Sequence, residues 1–271
     1  MNINNPKETI EKIRINLENY ISKNKLNSLV LGVSGGIDSA LCAVLAKPIC
    51  DKLNIPLIGR SITIETNSKE EIDRSILIGN AFCSDFKEIN LTNLYLNTKD
   101  AFENIDCNSE EDIHSKKIRL GNIKARIRMV YLYNIAQKYK GLVLSTDNYT
   151  EYLVGFWTLH GDVGDLGMIQ TLWKTEVYQL SEYIVKNELV STEKKTALQS
   201  CIDAMPVDGL GISKNDLEQL KADSYFEVDK ILFDFIHNNN LSQVNHPVIQ
   251  RHLNSHYKRN NPYNFSREDI I

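Results

Sequence analysis

The chain opens with Ile10, Ile13, Leu17, Tyr20 and Ile21 at helical spacing, which predicts an amphipathic helix. Ser28–Val33 is a short, β-branched apolar run followed at once by glycines, the pattern of a buried parallel strand. Ala40–Lys47 then reads as a helix. Leu57–Ile64 is a second strand, and Lys69–Phe82 is a helix with Ile72 and Ile76 turned to the core. Phe86–Leu91 is a third strand, Asn122–Tyr139 a long helix and Gly141–Thr146 a fourth strand. Strands alternating with helices predict an α/β fold. Its sheet is Rossmann-like, largely parallel and flanked by helices, with ligands at the C-terminal strand ends. Asn97–Lys117 is polar, acidic and weakly periodic, and reads as a partly mobile loop. The stretch from Ser242 onward is polar, and Asn260-Asn261-Pro262 breaks helical continuation there; a frayed terminus is one reading of it.

Length and composition narrow the class. The 271 residues hold neither an internal repeat nor a Pro- or Gly-rich linker, so one domain over 1–271 is expected. Hydrophobic residues make up 42% and charged residues 24%, which excludes fibrous and wholly disordered chains. No apolar run approaches the ~20 residues of a membrane span. A net charge of -4 gives no general electrostatic footprint for nucleic acid. The five cysteines, Cys42, Cys50, Cys83, Cys107 and Cys201, include no C-x-x-C pair and read as reduced thiols. With no signal-like stretch at the start, the expected location is cytoplasmic.

The chemistry begins after the first strand, at Gly32-Val33-Ser34-Gly35-Gly36-Ile37-Asp38-Ser39. Glycines let backbone approach a ligand closely, and the amides of a helix start attract anions. Ser34 and Ser39 add hydroxyls. Asp38 puts a carboxylate beside the bound phosphates, and two such anions tolerate each other only across a cation, so Mg²⁺ is implied. The loop lacks the lysine of a Walker-type γ-phosphate site. The S-G-G-I-D-S string resembles the pyrophosphate loop of the ATP-pyrophosphatase family, whose members cleave ATP to AMP and pyrophosphate and use AMP to activate a substrate oxygen.

Further stretches resemble the NAD synthetase branch of that family. Gly121-Asn122-Ile123-Lys124-Ala125-Arg126-Ile127-Arg128-Met129 matches its G-N-x-x-A-R-x-R-M helix, and the resemblance implies that Arg126 contacts the acceptor. Ser145-Thr146-Asp147-Asn148, Glu151, Gly155-Phe156-Trp157-Thr158 and Gly161-Asp162 follow its next signature, implying an ATP contact at Thr146 and a second Mg²⁺ ligand, beside Asp38, at Glu151. Leu172-Trp173-Lys174-Thr175 matches the segment whose lysine holds ATP phosphate. Asp38 and Lys174 are thereby the implied catalytic pair. Ser200 falls near a position of ATP contact, or is an ordinary surface serine. Asp208–Ser213 resembles a late G-[IF]-S element, and Ser255-His256-Tyr257-Lys258-Arg259 resembles an S-x-H-K-R signature, which makes Tyr257 and Lys258 acceptor contacts.

The departures lie on the acceptor side. Gly161–Met168 is one residue short, so Asp165 aligns across a gap with the family's substrate aspartate; Leu159 replaces a lysine and Tyr257 a histidine. The resemblance implies the adenine nucleotide alpha hydrolase type of fold. It implies ATP as co-substrate with Mg²⁺, and amidation of deamido-NAD by ammonia through an acyl-adenylate. Nicotinic acid mononucleotide is the alternative acceptor, and another ATP-pyrophosphatase adenylating reaction the alternative chemistry. The family's homodimer would suit Met129–Tyr133, which reads equally as core packing. The motifs fill the 271 residues, so ammonia is expected free or from a separate partner, and Asn97–Lys117 and Asp203–Ser213 are expected to order over the site.

Overall fold

The computed structural model describes residues 2–65, 67–106, 111–206 and 216–271. Helix α1 (Pro6–Asn24) starts with Asn5 accepting a hydrogen bond from the Glu8 amide and a proline in its first turn, and leads into β1 (Leu29–Gly32). Then follow α2 (Ile37–Lys52), β2 (Leu57–Thr63), α3 (Lys69–Phe82), β3 (Asp85–Asn90), α4 (Thr92–Asp106), α5 (Ile113–Lys138) and β4 (Leu142–Ser145). The short α6 (Tyr149–Val154) and β5 (Leu166–Gly167) complete the sheet region. The sheet is parallel in the order β3-β2-β1-β4-β5. Its direction of growth reverses between β1 and β4, and a parallel sheet opens a crevice for ligands at such a point.

Strands β1, β2 and β4 are buried because helices cover both faces. Helix α2 is apolar almost all round, with Leu41, Ala43, Leu45 and Cys50 fully buried, because α1, α3, α7 (Lys174–Asn187) and α8 (Thr192–Ile202) surround it. Helix α5 covers the opposite face through Ile135 and Ala136 against Val30, Ile58 and Val143. A second apolar cluster joins α6 to α9 (Asp216–Leu220), α10 (Tyr225–His237) and α11 (Pro247–Asn254). Helices α12 (His256–Arg259) and α13 (Arg267–Ile270) end the described chain.

Two expectations fail. Most of Asn97–Lys117 is not a loop: α4 runs to Asp106 and α5 begins at Ile113, four residues before the expected loop closes, while 107–110 lie outside the described residues. Asp112 starts α5 by accepting from the His114 and Ser115 amides, and Glu103 of α4 pairs with Lys116 and Arg119 at 3.4 and 3.6 Å. The weak periodicity has a cause: α4 buries Tyr95 but leaves Leu94, Phe102 and Ile105 exposed. The polar stretch from Ser242 is not frayed either. His246 caps α11, proline opens it, and Val248 and Ile249 are fully buried. Within Met129–Tyr133, Tyr131, Leu132 and Tyr133 pack on the core and Val130 faces out.

Cys42, Cys50, Cys83 and Cys201 are free thiols, and no helix among the described residues is long and apolar enough to cross a membrane. Helix α3 lies so close to β3 that a Cβ at Gly79 would come within 2.1 Å of the Phe86 ring. We expect Gly79→Ala to destabilise the protein by about 1–3 kcal/mol through overpacking, measured as a lowered urea midpoint at unchanged slope.

Candidate active site

Immediately after β1 the chain turns through Ser34, Gly35 and Gly36 into α2. Val33 first donates its amide to the Arg60 carbonyl at 2.9 Å, which ties the loop to β2. Gly35 takes φ +82°, and a Cβ there would meet the Glu71 carbonyl oxygen at 2.3 Å, so only glycine fits both the turn and the approach of α3. The hydroxyls of Ser34 and Ser39 lie 3.1 Å apart, the Gly36 amide donates to Ser34 Oγ at 3.2 Å, and Ser39 Oγ donates to the Gly36 carbonyl at 3.1 Å. Gly36 caps α2 with no side chain, which leaves the helix start open to an anion.

Asp38, in the first turn of α2, meets two groups brought by distant elements. Asn148 Nδ2 donates to Asp38 Oδ1 at 2.9 Å, while Asn148 Oδ1 accepts from the Glu151 amide and so caps α6. Lys174 Nζ donates to Asp38 Oδ2 at 2.5 Å and to Glu151 Oε1 at 3.1 Å. Only 3% of Lys174 is exposed. Burial alone would push its ammonium down, but the Asp38 and Glu151 carboxylates reverse the balance and hold it well above the usual lysine range. The Tyr225 ring lies 5.1 Å from Nζ, one turn of α10 before Asp229.

Asp229 is fully buried and organises this corner. It accepts from Thr150 Oγ1 at 2.5 Å, and from the amide and hydroxyl of Thr175 at 2.9 and 2.8 Å. Thr150 in turn accepts the Lys174 amide at 2.9 Å. One carboxylate thus fixes the helix that carries Glu151 and the helix that starts at Lys174.

The phosphate loop, Asp38, Glu151 and Lys174 line one cavity of about 510 Å³ at the C-terminal strand ends. Gly32, Val33, Ser34, Gly36, Ile37, Asp38, Ser39, Thr146, Glu151 and Lys174 line it, as do Tyr257 and Lys258. Lys258 Nζ donates to the Gly155 and Trp157 carbonyls at 2.8 and 2.5 Å, so α12 closes the cavity's far end. Burial and Arg251 draw the Lys258 ammonium below its usual range, with Asp162 opposing. The neighbouring wall is aromatic, with Tyr152 and Trp157 stacked at 5.6 Å.

Four of the residues singled out in the sequence do not line the cavity. Ser200 Oγ donates to the Ala197 carbonyl within α8. Arg126 donates to the Leu159 carbonyl at 3.2–3.3 Å and lines a shallow depression that shares Ile118 and Asn122 with the cavity. Asp165 accepts from the Val143 amide at 3.0 Å and from the Tyr133 hydroxyl at 2.9 Å, tying α5 and β4 together. Gly35 faces α3 rather than the cavity. Asp208–Ser213 lies outside the described residues.

Sequence reasoning gave no role to Arg60, Asn148, Asp147, Tyr225 or Asp229. Arg60 is 4% exposed on β2, lines the cavity and pairs with Asp85 at 2.9 Å. A carboxylate on the buried face of the apolar helix Tyr225-Phe226-Glu227-Val228-Asp229 was the available signal for Asp229. Asp147 accepts from Ser145 Oγ at 3.0 Å; burial, the charge of Asp162 and that of Asp38 push its carboxyl up to about 7, against that one hydrogen bond.

A parallel sheet with a glycine-serine anion loop at its switch point, and an ammonium held by two carboxylates beside it, defines a nucleotide-phosphate enzyme of the α/β class. Residues 9–262 match the family model for NAD synthase. The chain is 30% identical over 260 residues to the NH(3)-dependent NAD(+) synthetase of Malacoplasma penetrans, covering 93% of this chain and 92% of that one. It is 33% identical over 183 residues to the glutamine-dependent NAD(+) synthetase of Aquifex aeolicus, covering 66% of this chain but only 31% of that protein's length. The structure of an NMN synthetase from Francisella tularensis superposes with a TM-score of 0.77 at 25% identity, over 94% of this chain and 95% of that one. The chain therefore belongs to the NAD synthase family. As such it is a ligase that forms a C–N bond.

With a carboxyl titrating near 7 where the unfolded chain titrates near 4, native Asp147 holds a proton that the unfolded chain has lost. Its contribution to stability is present below pH ~4 and is lost as pH rises through about 7. We expect Asp147→Asn to be more stable than the parent at pH 8 and to show no gain at pH 4, read by urea denaturation at both pH values.

Proposed function

We propose that this chain uses ATP to amidate the nicotinate carboxylate of deamido-NAD with ammonia, giving NAD, AMP and pyrophosphate. The observation that carries the proposal is the Lys174 ammonium locked between Asp38 and Glu151 at the mouth of the phosphate loop. A carboxylate does not yield to ammonia directly, because its oxygen is a poor leaving group. The substrate carboxylate oxygen therefore bonds to the α-phosphorus of ATP and the bond from that phosphorus to the bridging oxygen of pyrophosphate breaks. The resulting acyl-adenylate splits one hard step into two easier ones. Ammonia then bonds to the acyl carbon, AMP leaves with the electron pair, and one proton is released.

In this reading the open α2 start, Ser34 and Ser39 hold phosphate oxygens, and Lys174 balances charge that gathers on the departing pyrophosphate. Thr146 lies at the end of β4, within the same cavity. Asp38 and Glu151, whose oxygens both meet the Lys174 ammonium, would hold a magnesium ion once that ammonium turns to the phosphates, since Mg²⁺ takes one or two carboxylates with phosphate oxygens. When bound, that ion supplies further neutralisation of the leaving phosphates. Tyr257 and Lys258 at the far end are the acceptor-side groups. The resemblance to the family supports a homodimer, and the free thiols suit a reducing, cytoplasmic setting. The overall charge of -4 supports small-molecule partners rather than nucleic acid, and no membrane partner is proposed.

A second acceptor, nicotinic acid mononucleotide, is favoured by the superposition with the NMN synthetase and by Asp165 and Arg126 being engaged outside the cavity. Comparing kcat/KM for the dinucleotide and mononucleotide acids tests this; a mononucleotide preference of tenfold or more assigns the second reading. We expect Asp38→Ala and Glu151→Ala each to reduce acceptor-dependent pyrophosphate release by at least a hundredfold. Near-parental release by either variant would refute the metal and lysine assignments.

A further inference from the structure

Beside the phosphate loop stands a cation to which the reaction above gives no part. Arg74 lies on α3, half-buried, and lines the same cavity as Ser34, Asp38 and Ser39. Its Nε donates to the Gly35 carbonyl at 2.9 Å. That single bond anchors the guanidinium on the loop itself and leaves both terminal nitrogens without a hydrogen-bond partner among the described residues.

The charges around it set Arg74 apart. Lys174 is matched by two carboxylates, and Arg60 by Asp85. The acids nearest Arg74 on its own helix are engaged elsewhere: Glu71 accepts the Ser68 amide in the cap of α3, and Asp73 pairs with Lys69. Arg74 forms no ion pair among the described residues. The loop, meanwhile, must accommodate a polyanion, and the trio of Lys174, Asp38 and Glu151 brings it one net negative charge rather than a positive one. Guanidinium is suited to this place: it stays charged, and its planar fork matches two phosphate oxygens at once. The close seating of α3 on Gly35 keeps that fork in register with the loop, because neither can shift without the other.

We propose that Arg74 is a phosphate-binding residue that grips the terminal diphosphate of a nucleoside triphosphate and retains it as free pyrophosphate after the bond to the α-phosphorus breaks. This rests on the ATP-cleaving reading above and adds a residue that no signature motif in the sequence contains. It also divides the labour at the loop. Nε braces the loop through Gly35, and the terminal nitrogens meet the ligand.

The test is binding by the full chain of ATP, magnesium pyrophosphate and AMP, for the parent, Arg74→Met and Arg74→Lys. Removing a charge-assisted bidentate contact should weaken pyrophosphate and ATP roughly ten- to hundredfold. AMP, which lacks the terminal phosphates, should stay within twofold. Arg74→Lys, which keeps the charge and loses the fork, should fall between parent and Arg74→Met. Unchanged pyrophosphate affinity in Arg74→Met overturns the proposal. So does an equal loss for AMP and pyrophosphate, which would make Arg74 a brace for the loop and nothing more. A parent chain that binds neither ATP nor pyrophosphate overturns the ATP reading itself, whereas a parent that binds both, with Arg74→Met indistinguishable from it, sinks only the role of Arg74.

Discussion

A buried ammonium is expensive, and the structure is arranged around meeting that cost. Lys174 is almost wholly removed from water and stays charged because Asp38 and Glu151 reach it from two other helices. Such a cluster holds only if its geometry is good and its remaining hydrogen-bonding capacity is used. Hence the surrounding detail: Asn148 takes the free oxygen of Asp38, Tyr225 offers its ring face to Nζ, and Asp229 binds the threonines on either side. Removing either carboxylate would take away one of the two groups that keep Lys174 charged.

The cavity divides by chemistry along the same line. At one end are the loop, the helix dipole of α2 and the fixed cations. At the other are stacked rings and Lys258, held by two backbone carbonyls. The first end is built from strand-to-helix turns, whose geometry the sheet dictates. The second comes from the segment between α6 and β5 together with α11 and α12, which the sheet does not constrain. It is there that the chain departs from the family pattern, with a shortened Gly161–Met168 and a tyrosine at 257.

What was legible in the sequence follows from what is local. The four main strands and α3 are marked by apolar runs and turn residues, and the phosphate loop by a string that only one backbone path satisfies. Helix α4 was missed because its apolar side chains are mostly not buried, so periodicity carries little signal. The docked α11 was hidden by polar neighbours, though His246-Pro247 is a helix start. Asp229 and Arg60 owe their importance to partners far off in sequence, Thr150, Thr175 and Asp85, which no spacing reveals. Asp165 shows the converse: a position marked by alignment whose carboxylate is engaged by Val143 and Tyr133.

The contribution of α10 and α12 has a consequence for how the protein is made. The phosphate loop follows β1 early in the chain, although β1 also pairs with the later β4 and is covered by α5. The lysine cluster needs Asp229, and the far wall needs Lys258, which pins Gly155 and Trp157. On the ribosome, a nascent chain therefore presents its loop before the groups that close the cavity around it. The groups that close the cavity therefore emerge after the loop they face.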